Sequence, residues 1–279
     1  MSGFLDDMAN SSHARVLEAQ RRESFAALQK RAQAAPPAPP LKLSARGFDV
    51  IAELKLTSPA AGVLAPQDED WRARVVAYAR GGAVAVSVLT EPSRFDGSLE
   101  HLREAASLLA PLGVPAMRKD FLVDPYQVLE ARAAGAGGIL AIVRMLPRER
   151  LCALLDAAAE SGLFVLLEAF DESDLQTARE VLAARGSGPG NLQDRILIGI
   201  NSRDLQNLKV VKERFETLAP SLPKDFPAVA ESGVATSLDA LRMQHLGYRL
   251  ALVGTALMTR DDPAVLLHEI LAATRTVLA

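Results

Sequence analysis

Eight short apolar runs, each followed by an amphipathic segment, predict an α/β protein built as a closed (β/α)8 barrel, the TIM-barrel architecture, with an extra N-terminal helix. Two further observations support closure. The units repeat at roughly 25 to 33 residues, the size of a strand, a helix and two short connections. After the first apolar run there is no glycine-rich dinucleotide fingerprint, the feature that would favour an open doubly wound sheet. The runs are Phe48–Leu54, Ala83–Leu89, Val114–Met117, Gly138–Val143, Leu163–Leu167, Ile196–Ile200, Ala228–Ala230 and Leu250–Val253. They lack strict apolar/polar alternation, as expected of parallel strands covered on both faces.

The intervening segments read as helices: Asp68–Arg80, Leu99–Leu109, Pro125–Ala134, Arg148–Glu160, Glu172–Ala184, Lys209–Leu218, Ser237–His245 and Pro263–Val277. Asp124-Pro125 and Asp262-Pro263 each place a capping acid before a proline in the first turn. Ahead of the barrel, Phe4 to Gln33 reads as a polar helical stretch with Val16, Phe25 and Leu28 as its apolar stripe. It ends at Ala35-Pro36-Pro37-Ala38-Pro39-Pro40, which cannot continue a helix. The expected division is an extension and linker over residues 1–40 and a barrel domain over 41–279. Gly186-Ser187-Gly188-Pro189-Gly190 reads as a surface insertion before the sixth strand.

Composition narrows the function. Hydrophobic residues make up 49% and aromatics only 5%, consistent with an aliphatic core of helices around strands, and net charge is -3. No basic block of the kind that follows a phosphate backbone appears, since Arg21-Arg22 and Lys30-Arg31 read as a solvated helix face; no nucleic-acid partner is expected. No apolar run reaches membrane-spanning length, and the acids Asp6 and Asp7 stand where a signal peptide needs bases, so a cytoplasmic protein without a membrane partner is expected. The single cysteine, Cys152, and the four histidines, His13, His101, His245 and His268, fall within helical segments, away from the strand ends; neither a metal site nor a cofactor site is expected. The sequence assigns no protein partner.

In a barrel of this kind chemistry sits where strands end and the following loops begin. Lys119, in Met117-Arg118-Lys119-Asp120-Phe121, shares a strand face with Met117 and so points into the interior, where an ammonium needs a partner or a ligand. Glu53 and Lys55 are two apart at the end of the first strand and can pair. Glu168 follows an all-apolar run, a setting that can raise a carboxyl's proton affinity and suit it to act as a base. Asn201 and Arg203 share a face after the sixth strand, and arginine suits a carboxylate or phosphate. Thr57-Ser58-Pro59 supplies hydroxyls. Glu231-Ser232-Gly233 and Gly254-Thr255 follow the last two strands, where barrels commonly grip phosphate with backbone N–H groups and a short extra helix, here Ala256-Leu257-Met258. Taken together, these residues suit acid–base chemistry on a small, phosphorylated, acidic molecule, and spacing alone does not name it.

The motifs themselves resemble one family over nearly the whole chain. Ile51-Ala52-Glu53-Leu54-Lys55 with Ser58-Pro59, Ser87-Val88-Leu89-Thr90-Glu91, Arg118-Lys119-Asp120-Phe121 with Asp124-Pro125-Tyr126-Gln127, Gly199-Ile200-Asn201-Ser202-Arg203-Asp204-Leu205 and Ala230-Glu231-Ser232-Gly233 are similar to indole-3-glycerol phosphate synthase. The resemblance implies a cofactor-free carboxy-lyase of tryptophan biosynthesis. Its reaction converts 1-(2-carboxyphenylamino)-1-deoxyribulose 5-phosphate to indole-3-glycerol phosphate, carbon dioxide and water. By the same resemblance Lys119 is the general acid, Glu168 the base of the dehydration, and Lys55 the lysine that meets the substrate carboxylate. Glu53 and Asn201 orient these groups, Arg203 and Glu231 complete the polar lining, and Phe121 packs on the aromatic ring. Ser58, Ser232, Gly233, Gly254 and Thr255 resemble phosphate-site positions. The chain departs from the family pattern at Leu56 and Ala60-Ala61-Gly62 in the first loop, at Ala169-Phe170 and at Thr255. Competing readings are a lysine-dependent phosphosugar aldolase or isomerase, and a non-catalytic phosphate-binding barrel.

Overall fold

The computed structural model describes residues 3–45, 47–59, 62–64, 70–184, 192–205 and 207–276. Eight parallel strands close into a barrel: β1 Asp49–Leu54, β2 Ala85–Leu89, β3 Ala116–Lys119, β4 Gly138–Ile142, β5 Phe164–Ala169, β6 Ile196–Asn201, β7 Ala228–Glu231 and β8 Leu250–Val253. Each pairs with its sequence neighbour, and β1 with β8 completes the ring, in the register Asp49 to Leu250 through Ala52 to Val253.

Strand alternation divides the apolar residues into two layers. Val50, Ala52, Ile139, Ala141, Val165, Leu167, Ile198 and Ile200 face the helices. Ile51, Leu140, Leu166, Leu197, Val229 and Leu252 fill the lumen. Both faces are buried, which is why the runs are apolar throughout. The same parity then assigns Glu53, Lys119, Glu168, Asn201 and Glu231 to the lumen side at the strand ends, in step with the lumen residues two positions before them.

The outer helices are α3 Trp71–Arg80, α4 Leu99–Leu109, α5 Pro125–Ala133, α6 Arg148–Glu160, α7 Glu172–Ala183, α8 Glu213–Leu218, α9 Ser237–His245 and α10 Pro263–Thr276. Their starts follow the capping signals: Asp124 accepts from Tyr126 N–H and forms a capping box with Gln127, and Thr236 does the same with Asp239. The helix expected from Asp68 begins at Trp71, with Asp70 as its cap, and Asp68 itself lies outside the described residues. Outside them too are Val277 and the insertion Gly186–Gly190.

Three expectations need correction. The third strand spans Ala116–Lys119 rather than Val114–Met117, which brings Lys119 inside the ladder; Leu89 lies opposite it. The helix expected from Lys209 begins at Glu213. Leu208 takes a left-handed conformation (φ 61), and the β-branched Val210 and Val211 run back along the sixth strand's exit, with Val210 bridging Arg203 and Val211 N–H donating to Ser202 O at 2.8 Å. The N-terminal stretch is two helices, α1 Phe4–Arg22 and α2 Phe25–Ala34. Glu23 adopts an extended conformation, and Ser24 caps α2 through Ala27 N–H. The Tyr126 hydroxyl donates to the freed Glu23 carbonyl at 2.9 Å.

These two helices pack on α5 through Val16, Leu28 and Ala32 against Val123, Tyr126 and Leu129. A buried ionic cluster fastens α1. Arg15 makes a two-point pair with Asp120, both contacts at 2.8 Å, and Asp120 also takes hydrogen bonds from Thr90 Oγ1 (2.8 Å), Arg118 Nη2 (3.2 Å) and Phe121 N–H (2.8 Å). Burial opposes the charge on Asp120, but Arg15 and Arg118 prevail and hold its carboxyl down at about 2.

Asp120→Asn should leave Arg15 without its counter-ion and Arg118 with Glu130 alone, and destabilise the fold by about 3–5 kcal/mol at neutral pH. A depressed carboxyl stabilises fully above its unfolded value, about 4, and loses that contribution as pH falls toward its folded one. Urea unfolding between pH 4 and pH 2 should therefore weaken the wild type more steeply than the variant. Parallel slopes would show that Asp120 is not the group being titrated.

Candidate functional site

The lumen opens at the carboxyl ends of the strands into a cavity of about 390 Å³. Every site residue expected from the sequence lies on its wall: Lys55, Glu53, Ser58, Lys119, Phe121, Glu168, Asn201, Arg203, Glu231, Ser232, Gly233, Gly254 and Thr255. Three acids and two lysines meet there. Lys119 Nζ stands 3.6 Å from Glu168 Oε2 and 4.0 Å from Glu231 Oε2. Lys55 Nζ donates to Glu53 Oε1 at 2.8 Å, the pair that the spacing of two allows.

Desolvation lowers the proton affinity of Lys119, yet Glu168, Glu231 and Glu53 outweigh it and hold the ammonium above the ordinary lysine range. Glu53 is likewise buried, and its carboxyl is lowered by Lys55 and Lys119. Glu231 moves the other way. Burial and the adjoining Glu168 raise it well above the usual carboxyl range despite Lys119.

Two glycines make this crowding possible. A Cβ on Gly199 would lie 2.0 Å from Glu231 Oε1, and one on Gly254 would lie 2.4 Å from Glu53 Oε1. Gly254 was expected for close approach of the backbone to an anion; it also makes room for Glu53. It caps the four-residue helix Thr255–Met258, the short helix expected at this strand end.

The polar rim is preorganised by its own hydrogen bonds. Asn201 Oδ1 accepts from Arg203 N–H (2.9 Å) and Ser232 Oγ (3.0 Å), while Ser202 Oγ donates to Ser232 O (2.7 Å). Arg203 is steadied through Nη1 to Leu208 O at 2.7 Å. Ser232 and Gly233 have successive positive φ angles, 64° and 92°, which bends the backbone after β7 into a concave turn of the kind that receives anions. Thr57–Ser58 pairs with Gly62–Val63 as a small hairpin, where a turn was expected; Ala60 and Ala61 lie outside the described residues.

Another part of the wall is aromatic. Phe121 meets Phe4 edge-on at 5.8 Å and Phe95 at 6.2 Å between ring centroids. The sequence reading placed neither Phe4 nor Phe95 here, because one comes from the extension and the other from the second loop. It also missed Gly199, although a lone glycine in the run Ile196–Ile200 is a signal of close approach. Thr90 and Glu91, noted as strand-end polar residues, have structural partners: Thr90 serves Asp120, and Glu91 caps Pro92–Phe95 through Ser93 and Arg94 N–H. Among the described residues no group of His, Cys, Asp and Glu is placed to hold a metal ion, and no helix is long and apolar enough to cross a membrane.

Several known proteins are similar to this chain. A protein from Nocardioides sp. named indole-3-glycerol phosphate synthase is 41% identical over 262 residues, covering 93% of this chain and 94% of its own. Proteins of the same name from Streptomyces griseus and Mycobacterium tuberculosis are 38% and 36% identical, each over 96% of this chain and 95% and 94% of theirs. Among solved structures, 3-hexulose-6-phosphate synthase from Salmonella typhimurium superposes with a TM-score of 0.62 over 82% of this chain and 99% of its own, at 13% identity, a likeness of fold alone. The profile described as indole-3-glycerol phosphate synthase matches residues 5–270, and with it the chain belongs to the indole-3-glycerol phosphate synthase family.

Proposed function

We propose that the chain converts 1-(2-carboxyphenylamino)-1-deoxyribulose 5-phosphate to indole-3-glycerol phosphate, carbon dioxide and water, in the cytoplasm, as a step of tryptophan biosynthesis. The observation that carries this reading is the half-buried Lys119 ammonium, facing Glu168 and Glu231 in a cavity with an aromatic wall and a serine- and glycine-lined rim. Family membership supports the same reaction.

In this reading the aromatic ring packs on Phe121, and the phosphate rests among Ser58, Ser232, Gly233, Gly254 and Thr255. Lys55 receives the substrate carboxylate, with Glu53 and Asn201 orienting the groups around it and Arg203 and Glu231 completing the lining. As the ring carbon attacks the ketone, Lys119 protonates the developing alkoxide. Loss of carbon dioxide restores aromaticity, and Glu168 acts as base when water is then eliminated. A Schiff-base aldolase would instead need Lys119 as a free amine. The carboxyls around it favour the ammonium.

Mixing the protein with this substrate in chelator, with no added cofactor, should produce rising indole fluorescence; substrate binding without signal would sink the reading. Lys119→Met should fold and bind product but lose about 10²- to 10⁴-fold in kcat. Since the ammonium is held above the ordinary lysine value, kcat should not decline through Lys119 below about pH 10.4. A decline near neutrality that disappears in the variant would contradict the assignment. In Gly233→Ala the new methyl would meet Val210 Cγ1 at 2.9 Å in a backbone conformation that disfavours it. KM should rise about tenfold with kcat kept, the pattern of lost uniform binding; an unchanged KM would remove Gly233 from the phosphate grip.

A further inference from the structure

Glu168 and Glu231 pose a problem of hydrogen-bond accounting. Both carboxyls are buried, at 2% and 1% exposure, and face the same Lys119 Nζ, with Glu231 reaching over Gly199, the residue that pairs with Glu168 in the sheet. Yet Glu168 Oε2 and both oxygens of Glu231 meet no donor. Lys119 does not resolve this, because its Nζ remains 3.6 and 4.0 Å away. Two ionised carboxylates this close to one ammonium would repel each other and leave three buried acceptors empty. One proton between them removes the repulsion and turns one of these oxygens into a donor for another. The position is built for the arrangement, since only glycine at 199 leaves space for Glu231 Oε1.

We propose that Glu168 and Glu231 share one proton and work as a paired base and acid in the dehydration, with Glu231 a catalytic residue in its own right. The inference rests on the activity proposed above and deepens it. In the ring-closed, decarboxylated carbinol, the C–O bond breaks and the hydroxyl leaves with the Glu231 proton as water. Glu168 takes a proton from the adjacent ring methylene, and that C–H electron pair becomes the indole double bond. The proton on Glu168 then passes across the contact to the Glu231 carboxylate. The dehydration is thus proton-neutral and resets itself, while Lys119, having protonated the ketone oxygen earlier, is recharged from solvent. The charged groups facing Glu231 are Glu168, Lys119 and Glu53. Burial and the two carboxylates favour its neutral form over the opposing pull of Lys119.

The test follows carbon dioxide release and indole fluorescence in parallel during a single turnover of the intact chain. Glu231→Gln preserves size and hydrogen bonding but has no proton to deliver. Carbon dioxide release should persist while indole formation falls about 10²-fold. Indole formation at the wild-type rate, or equal loss of both signals, would overturn the proposal. A second measurement needs neither substrate nor turnover. Infrared spectra of the ligand-free protein at neutral pH should show a protonated-carboxyl C=O stretch that shifts in D2O, is absent from Glu231→Gln and moves in Glu168→Gln. Absence of such a band from the wild type would rule out the shared proton. If the wild type shows the band but does not turn over the substrate, the activity reading fails and the proton-sharing pair stands.

Discussion

Three carboxyls, Glu53, Glu168 and Glu231, crowd one lysine in the lumen of a barrel that is otherwise aliphatic, and most of the site's organisation can be traced to that arrangement. Each charge taken from water carries a desolvation cost of several kcal/mol, recovered only by close opposite charges and further hydrogen bonds. Lys55 satisfies Glu53 directly. Lys119 sits between Glu168 and Glu231 at distances longer than a direct hydrogen bond, so its field is shared rather than committed to one partner. An ammonium held in this way stays charged but is free to donate.

The opposite face of the same strand carries a second ionic system with a different purpose. Alternation along β3 sends Lys119 into the lumen and Arg118 outward, where Arg118 and Arg15 enclose Asp120 together with Thr90. Every oxygen of Asp120 is satisfied by two or more donors, and the cluster ties α1 to the loop that carries Phe121. The helix so fastened brings Phe4 to the cavity wall. The extension is therefore mechanically continuous with the aromatic part of the site, and an ionic contact more than a hundred residues apart in sequence positions it.

Glycines set the limits of the arrangement. Gly199 and Gly254 occupy positions where a methyl group would collide with the carboxyls of Glu231 and Glu53. Their role in the lumen is to admit charged groups as much as to permit a backbone turn. Gly233 differs, because with Ser232 it adopts positive φ and shapes the rim itself.

The sequence by itself determined the barrel and the shared faces of Met117 with Lys119 and of Glu53 with Lys55, because period-two alternation and strict strand–helix succession are local properties of the chain. Glu53, Lys55, Lys119, Glu168, Asn201 and Glu231 could be placed from their positions at strand ends. Boundaries shifted where another contact intervened: Val210 bridges Arg203, and the Tyr126 hydroxyl donates to the Glu23 carbonyl where α1 ends. Only the tertiary structure decided which carboxyls face Lys119, that Asp120 is held by Arg15 at hydrogen-bond distance while Lys119 stands farther from its carboxyls, and that Phe4 and Phe95 join Phe121. Those outcomes depend on closing the barrel, which brings together residues from different strands and from the extension, and on burial, which turns proximity into shifted proton affinity. Neither separation through space nor burial is written in the spacing of residues along the chain.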